Sequence, residues 1–241
     1  PLEYNPTASS SRATIAQTEA QIEADWEKAL NLFQEVADSQ GTTLVDLVDT
    51  TNKTQLSPLS VKAYQSRFYL YKENWDKVIS LSQEIITSGK YSVVPAADLE
   101  TSFTKPSATN SVFELAVGVN GSLGAESYEY LFNSSGYGTI LLTDYAYGLY
   151  EDEDVRKGLV VGSRDDGYYL DGKFSDLQSK SNVKLVRYEE VLLNATEAYL
   201  KKGNATSALT YYNQLRTQRG LTTATTVTLD ELKKERLREL L

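Results

Sequence analysis

The sequence predicts a mainly α-helical protein in which tetratricopeptide-like helical repeats, an α/α superhelix, are interrupted by a long insertion of loops and short strands. Two observations support this fold class. Amphipathic helical patterns occupy both ends of the 241-residue chain and flank a middle segment that is rich in Gly, Ser, Asp and Tyr. In addition, the two flanking helix pairs align with each other at a constant offset of 130 residues.

The first flank begins with a predicted helix over residues 14–37, with Thr14 as its N-cap and Gly41 just beyond its end. Its apolar positions recur every three or four residues and so share one face: Ile15, Ile22, Trp26, Leu30 and Phe33. Residues 42–56 are predicted to form a loop with at most one helical turn. Ser57 and Pro58 then open a second helix through about residue 72, and a third helix begins after Asn74 and ends at Gly89.

The middle segment covers residues 91–184. Its apolar runs are too short for helices and are separated by turn signals. The sequence therefore predicts short strands within 111–119, 139–143 and 158–161, together with one short helix near 144–150.

The second flank returns to helical periodicity. One helix is predicted over residues 183–202 and a second over 205–219. A final helix is predicted from Thr228, which has the spacing of a capping box with Glu231.

An internal repeat relates the two flanks. Residues 69–75 align with residues 199–205, so that a Tyr-Leu pair precedes the interhelical turn in both units. Stacked helix pairs can bury apolar faces that an isolated pair leaves exposed, which favours a tetratricopeptide-like arrangement with units of about 33–35 residues. Two unrelated helical hairpins are the alternative interpretation.

The composition excludes several classes of chemistry. The chain contains no Cys, His or Met, so disulfides, Cys/His zinc sites, thiolate nucleophiles and histidine general bases are unavailable. The 24 basic and 33 acidic residues give a net charge of −9, which argues against a nucleic acid or an anionic membrane as partner. No stretch approaches the roughly 18 apolar residues of a membrane helix.

Three strings of the second flank form an ordered set of motifs, at residues 187–199, 208–220 and 235–240. They read R-Y-E-E-V-L-L-N-A-T-E-A-Y, A-L-T-Y-Y-N-Q-L-R-T-Q-R-G and E-R-L-R-E-L. These strings resemble the R-Y-x-E-x-L-L-x-A-E-A helix, the A-x-x-x-x-N-x-x-R-x-R-G helix and the closing E-R-x-x-E-L string of the SusD/RagB family of nutrient-binding outer-membrane lipoproteins. Earlier segments fit the family as well: Pro1-Leu2 with Arg12-Ala13-Thr14, Arg67 to Trp75, Ile86 to Tyr91, Asn110 to Leu115, and Tyr150 to Arg156. The order and spacing of these motifs hold over essentially the whole chain.

The resemblance implies a single SusD-like domain over residues 1–241, with a helical repeat scaffold at 12–90 and 183–241 and an irregular ligand-facing insertion at 91–182. It also implies a non-catalytic, surface-exposed outer-membrane lipoprotein that needs no cofactor. Such a protein captures glycans or other nutrients and passes them to a TonB-dependent, SusC-like transporter. Family members are longer and begin with a lipid-modified cysteine. We therefore expect the chain to be truncated at both ends, with any membrane attachment through a lipid anchor outside it.

Tyrosines of the middle segment are the candidate ligand-binding residues. Aromatic rings stack on the apolar faces of sugars, and phenol hydroxyls form hydrogen bonds with sugar hydroxyls. Loops held by a rigid scaffold are also where binding residues concentrate. We therefore predict a glycan-binding surface that is lined by Tyr128, Tyr130, Tyr137, Tyr145 and Tyr147. The alternative is that these rings pack the loop layer onto the helices.

Other functions stay open at this point. The acidic runs at 151–154 and 165–166 have oxygen ligands for Ca²⁺ but not the spacing of an EF-hand, so no metal site is predicted. A tetratricopeptide-type scaffold would bind a peptide or helix, and a glycoside hydrolase would need two carboxylates across a sugar. The long insertion favours nutrient binding, and no carboxylate pair stands out. Five residues of the helices are interpreted as structural: Trp26, Arg67, Trp75, Arg187 and Glu190.

Overall fold

The computed structural model of the protein describes residues 12–241, so the Pro1-Leu2 part of the resemblance lies outside the described residues. Within this range the chain forms ten α-helices and two short two-stranded sheets, which confirms the predicted fold class. The helices are α1 (Ile15–Gln40), α2 (Pro58–Tyr71), α3 (Trp75–Thr87), α4 (Leu99–Thr104), α5 (Gly118–Gly121), α6 (Tyr128–Phe132), α7 (Asp144–Tyr147), α8 (Tyr188–Lys201), α9 (Ala205–Gln218) and α10 (Leu229–Leu240). The strands are β1 (Ser111–Leu115), β2 (Val161–Ser163), β3 (Gly167–Tyr169) and β4 (Val183–Arg187).

Helices α2–α3 and α8–α9 form two units with the same turn geometry. Both turns cap the following helix with an asparagine, because the side-chain oxygens of Asn74 and Asn204 accept hydrogen bonds from the third amide of α3 and α9 at 3.2 and 3.0 Å. The preceding residues, Glu73 and Gly203, both have left-handed backbone conformations, with φ of 55° and 74°. This shared backbone geometry supports the internal repeat over two unrelated hairpins.

The two units stack through α3 and α8. Val78 of α3 and Ala198 of α8 are fully buried in one apolar cluster, and the hydroxyls of Ser66 and Ser82 lie 3.0 Å apart where α2 and α3 approach closely. The main core lies between the helix pairs, β1, β4 and α10. Its most deeply buried side chains are Leu59, Ile85, Leu192, Leu193, Leu215 and Leu232.

Contacts between helices confirm the structural interpretation of the tryptophans and of Arg67. The rings of Trp26 in α1 and Phe68 in α2 meet edge to face at 5.0 Å, and Trp75 packs against the cluster at the α2–α3 turn. Arg67 Nε and Nη2 donate to the two carboxylate oxygens of Glu190, both at 2.6 Å, and so link α2 to α8.

Residues 183–187 form a strand, so the prediction of helix from residue 183 is wrong at its start. These residues pair antiparallel with β1, Ser111 opposite Arg187 and Leu115 opposite Val183, and α8 begins only at Tyr188. The apolar positions in this segment fit a helix or a strand equally well. The segment becomes a strand because it pairs with β1, which is distant in the sequence, and the local pattern of apolar residues contains no information about that pairing.

The middle segment contains more helix and less strand than predicted. The expected strand at 139–143 is only a single bridge between Leu142 and Tyr168, and residues 155–159 form a 3₁₀ turn before β2. The short helices α4, α5 and α6 were not predicted, because four to six residues are too few to show a helical period. The helix predicted near 144–150 is present as α7.

The capping box predicted for the last helix is only half formed. Thr228 Oγ1 accepts a hydrogen bond from the Glu231 amide at 3.2 Å, as expected for an N-cap. The Glu231 carboxylate, however, accepts from Arg238 Nη2 at 2.7 Å, since a buried guanidinium is a stronger partner than an exposed backbone amide. Between residues 12 and 241, no helix combines the length and apolar character of a membrane span.

Candidate functional site

A reversal of the chain after α6 brings two of the candidate tyrosines together. The amides of Tyr137 and Gly138 donate to the carbonyl of Tyr130 at 2.7 and 3.2 Å, which folds the loop back onto the helix. The rings of Tyr130 and Tyr137 meet at 5.8 Å with an interplanar angle of 64°. Tyr137 is 62% exposed, so its ring stands in solvent at an angle that its contact with Tyr130 sets.

Tyr169 of β3 lies close to two glycines, one of which, Gly138, directly follows Tyr137. A Cβ on Gly138 would lie 2.8 Å from the Tyr169 ring, and one on Gly162 would lie 3.2 Å from it. The Tyr169 ring therefore packs directly against the backbone of Gly138 and of Gly162, where a side chain would prevent this approach. Its hydroxyl donates to the carbonyl of Asp166 at 2.9 Å, which fixes the outer end of the ring.

Leu141 extends the exposed surface along β3. It packs on Gly167, where a Cβ would lie 2.8 Å from Leu141 Cδ1, and it is 44% exposed. Gly167 and Tyr169 are two residues apart on β3, so a Cβ on Gly167 would point to the same side of the strand as the Tyr169 side chain. Leu141, which packs on that side of Gly167, therefore lies on the same side of β3 as the Tyr169 ring. We call the surface of Tyr130, Tyr137, Leu141 and Tyr169 the aromatic face.

The other three candidate tyrosines lie elsewhere. Tyr145 of α7 is 64% exposed, next to Asp144, whose carboxylate pairs with Arg164 at 3.0 Å. Tyr147 stacks on Tyr168 at 3.9 Å and 13°, so one face of its ring is covered. Both rings pack against an apolar cluster of the insertion that is formed by Leu142, Ala146, Tyr150 and Leu170. The packing alternative thus describes Tyr147 well.

Tyr128 borders a cavity instead of the aromatic face. Side chains two positions apart on a helix point in different directions, which separates Tyr128 from Tyr130. The cavity has a volume of about 480 Å³ and lies between α6, β4 and the segment after β3. We call it the aromatic cavity, since four rings line it: Phe103, Tyr128, Phe132 and Phe174. Phe132 and Phe174 are stacked at 4.6 Å.

The acidic runs considered for metal binding have cations or hydroxyls as partners. Glu151 pairs with Arg216 at 2.8 Å, Asp152 with Lys157 at 2.7 Å, and Asp166 accepts from Ser163 Oγ at 2.7 Å. In residues 12–241, no group of three or more acidic side chains has an arrangement that could hold a metal ion.

A family model described as the SusD family matches residues 157–241. Two solved structures of SusD superfamily proteins resemble the chain closely. The one from Bacteroides thetaiotaomicron is 25% identical with a TM-score of 0.79, and the match covers 98% of this chain and 55% of that one. The one from Bacteroides vulgatus is 26% identical with a TM-score of 0.71, covering 89% and 51%. Residues 157–241 thus match the SusD family, and the chain as a whole is similar in fold to SusD superfamily proteins, which is the sense in which we call it SusD-like.

A third match has a ligand bound. Surface glycan-binding protein A from Bacteroides thetaiotaomicron, in complex with laminarihexaose, is 18% identical with a TM-score of 0.66, and the match covers 88% of this chain and 58% of that one. At this identity the likeness concerns the fold alone. The SusD-like chain spans about half the length of the solved structures that it matches. No curated protein matches it.

The SusD-like motifs meet in one buried ionic network. It contains four carboxylates and four guanidiniums, each at most 9% exposed at the side chain: Asp154, Glu189, Glu235, Glu239, Arg156, Arg187, Arg219 and Arg238. Glu239 is its centre, because Arg156, Arg187 and Arg219 donate to its two oxygens at 2.7 to 3.1 Å. The network therefore joins the insertion to α8, α9 and α10, and the structural interpretation of Arg187 is confirmed.

The positive charges of the network outweigh the effect of burial on the pKa of Glu239. Burial alone would raise the pKa of Glu239, but the guanidiniums of Arg219, Arg187 and Arg156 hold it well below its usual range. Charges buried in this way require partners on every side, which the balanced set supplies. The glycine of the R-x-R-G motif serves the same junction, since a Cβ on Gly220 would lie 2.9 Å from the carbonyl of Glu153.

Sequence reasoning missed the residues that complete both surfaces of this SusD-like chain. Tyr169 belongs to the tyrosine-rich segment, but only the approach of Gly138 and Gly162 places it beside Tyr137. Phe103 and Lys173 of the aromatic cavity have no distinctive local signal, because Phe103 lies in the six-residue helix α4 and Lys173 in the turn after β3. Their proximity depends on the folding of the insertion.

Proposed function

We propose that this SusD-like chain binds glycans at the aromatic face of its insertion. The observation that carries the proposal is the exposed Tyr137 ring, which Tyr130 holds at a fixed angle beside Tyr169 and Leu141. Rings fixed in this way lose little conformational freedom when a sugar stacks on them, since a tyrosine has only two side-chain torsions. The glycan complex of a protein with the same fold supports the ligand class.

The predicted set of five tyrosines is retained in this proposal with different roles. Tyr130 and Tyr137 belong to the aromatic face, and Tyr145 would extend the contact from α7 at its exposed ring. Tyr128 would contact glycan only at the aromatic cavity. Tyr147 would act through Tyr168, by holding the β3 segment in place, since the two rings are stacked.

The proposed division of the chain is a single domain, with a scaffold at 12–90 and 183–241 and a ligand-facing insertion at 91–182. The buried network supports this division, because Arg156 in the insertion is bonded to Glu235 and Glu239 in α10 at 2.7 and 3.0 Å. A rigid junction keeps the loops of the insertion in one orientation relative to the helices.

Binding is proposed to occur without hydrolysis. The buried carboxylates of residues 12–241 are already engaged: Glu114 by Lys184 and Asn182, Glu189 by Arg219 and Asn110, and Asp154, Glu235 and Glu239 by arginines. A carboxylate that is fixed in an ion pair is a poor general acid, because the neighbouring cation keeps it ionised.

The similarity to the SusD family supports a wider role. We infer that the chain is part of a surface-exposed lipoprotein of the outer membrane, which delivers its glycan to a TonB-dependent, SusC-like transporter. Moderate affinity suits that role, since a slow dissociation rate would delay transfer of the ligand.

Electrophoresis in native gels that contain a soluble polysaccharide tests the proposal. Laminarin, starch, xylan and pectin form a suitable panel, with a gel free of polysaccharide as the reference. We expect at least one polysaccharide to retard the wild-type protein and to retard Tyr137→Ala less. If none of a broad panel retards the wild-type protein, glycan binding is wrong. The appearance of new reducing ends during incubation would instead indicate a glycoside hydrolase.

A further inference from the structure

The aromatic cavity contains an amine that has no polar partner. Lys173 borders the cavity, and its Nζ lies 5.6 Å from the centre of the Phe103 ring and 5.5 Å from that of Phe174. Within residues 12–241, this amine forms neither an ion pair nor a hydrogen bond. Ring faces attract a cation but give it no acceptor, so the partly buried amine is left to form hydrogen bonds with solvent or with a ligand.

The other cations around the cavity are already paired. Arg67 donates to Glu190, Lys184 Nζ donates to Glu114 and to the carbonyl of Lys105, and Arg187 donates to Glu239. Asn182 is occupied as well, since it donates to Glu114 at 2.8 Å and accepts from the amide of Val117 at 3.3 Å. Lys173 is thus the cationic group that a ligand would meet.

We propose that the aromatic cavity binds an anionic substituent of a glycan, a carboxylate or a sulfate ester, through Lys173. The volume of about 480 Å³ lies within the range of small-molecule pockets, about 300–1,000 Å³. The sugar ring would stack on Tyr128 or on the Phe132–Phe174 pair. The carboxylate of Glu129, which also lines the cavity, would accept hydrogen bonds from the sugar hydroxyls. The choice of a glycan rests on the proposed function, but the cavity is separate from the aromatic face.

The charges around Lys173 make anion binding sensitive to pH. Burial and the nearby charge of Arg187 lower the pKa of Lys173 to about 7, against the opposing effect of Glu239. Lys173 also borders a smaller neighbouring cavity, which Tyr150 and Leu159 line. The remaining side chains with charged or titratable groups at the two cavities are Arg67, Tyr128, Glu129, Lys184, Glu190, Arg156, Tyr150 and Arg238. An anion beside the amine would raise its pKa again, so binding near neutral pH takes up a proton.

Calorimetric titration with trigalacturonic acid and with its neutral methyl ester tests the carboxylate, and galactose 6-sulfate beside galactose tests the sulfate ester. We expect one anionic ligand to bind at least about tenfold more tightly than its neutral counterpart near pH 6. Its affinity should decline toward about pH 9, as Lys173 loses its proton. Two buffers with different ionisation enthalpies should give different apparent enthalpies near pH 7, because a proton is taken up.

Three variants make the result specific. Lys173→Met should remove the preference for the anion, Lys173→Arg should keep it without the dependence on pH, and Lys180→Met, at an exposed lysine, should resemble wild type. Equal binding of charged and neutral ligands by the wild-type protein would overturn the inference, and so would an anion preference that Lys173→Met retains. The proposed function fails separately, if Tyr137→Ala leaves the binding of neutral polysaccharides unchanged.

Discussion

At the residue scale, the two repeat turns differ at one position. Glu73 adopts a left-handed conformation, with φ of 55°, where the second unit has Gly203 with φ of 74°. A side chain in this region costs about 1–2 kcal/mol, because Cβ approaches the following carbonyl oxygen. Glu73→Gly should therefore raise the free energy of unfolding by about 1 kcal/mol, less a small loss from the more flexible unfolded chain.

Urea denaturation at neutral pH measures this difference. Glu73→Ala is the control, because it removes the carboxylate but keeps Cβ. It should not raise the free energy of unfolding. Gly203→Ala should destabilise the protein by a similar amount. If Glu73→Ala stabilised the protein as much as Glu73→Gly, charge rather than backbone strain would be responsible.

Substitutions at two other glycines distinguish the effect of backbone strain from the effect of contact with the Tyr169 ring. Gly124 and Gly138 both have φ of 55°, but a Cβ on Gly124 meets nothing within 4 Å, whereas one on Gly138 would lie 2.8 Å from the ring. Gly124→Ala should therefore cost about 1 kcal/mol of stability and leave glycan binding unchanged. Gly138→Ala should cost more and also weaken retardation in polysaccharide gels, since the ring must move. Equal effects of the two substitutions on binding would show that Tyr169 is not part of the face.

At the scale of elements, the ionic network is the main junction between the insertion and the helices. Glu239→Gln would leave three buried guanidiniums with one carboxylate fewer, and breaking a buried pair typically costs about 3–5 kcal/mol. We expect a loss of that order in the free energy of unfolding, measured by chemical denaturation. Glu231→Gln is a suitable control, since Glu231 is only partly buried and binds Arg238 at the edge of the network. A loss below about 1 kcal/mol for Glu239→Gln would contradict the assigned role.

The lowered pKa of Glu239 makes the stability of the folded protein depend on pH. The pKa of Glu239 lies well below its usual range in the folded protein, but has an ordinary value of about 4.5 in the unfolded chain. Its contribution is therefore complete above about pH 4.5 and is lost as the pH falls further. Thermal unfolding between about pH 3 and pH 7 should show a steeper acid loss for wild type than for Glu239→Gln. Parallel curves would be inconsistent with a charged Glu239 in the folded state.

The elements that the sequence could predict are those with several turns of amphipathic helix. The boundaries of α2, α3 and α9 and the end of α8 follow from cap residues and apolar period, and the offset that relates the two helix pairs needed no structural information. β4 could not be predicted, because its partner β1 is distant in the chain and the local pattern also suits a helix. The short helices of the insertion contain too few residues for any period to appear.

For the molecule as a whole, a rigid helical scaffold carries a loop layer whose rings are ordered by glycines and by contacts between segments. The sequence identified the tyrosine-rich segment, but not which rings share a surface. Tyr130 and Tyr137 meet only because the loop folds back, and Tyr147 turns inward onto Tyr168. These arrangements depend on long-range pairing, as at the bridge between Leu142 and Tyr168, which local patterns do not encode.

Glycan binding at the aromatic face is tested most directly by calorimetric titration with the polysaccharide that retards the wild-type protein most. Tyr137→Ala should lower the affinity by about tenfold or more, equivalent to about 1.4 kcal/mol. Tyr71→Ala is the matched control, since Tyr71 is an 83% exposed tyrosine at the end of α2 on the scaffold, and it should bind as wild type does. Equal affinities of wild type, Tyr137→Ala and Tyr71→Ala would contradict the account.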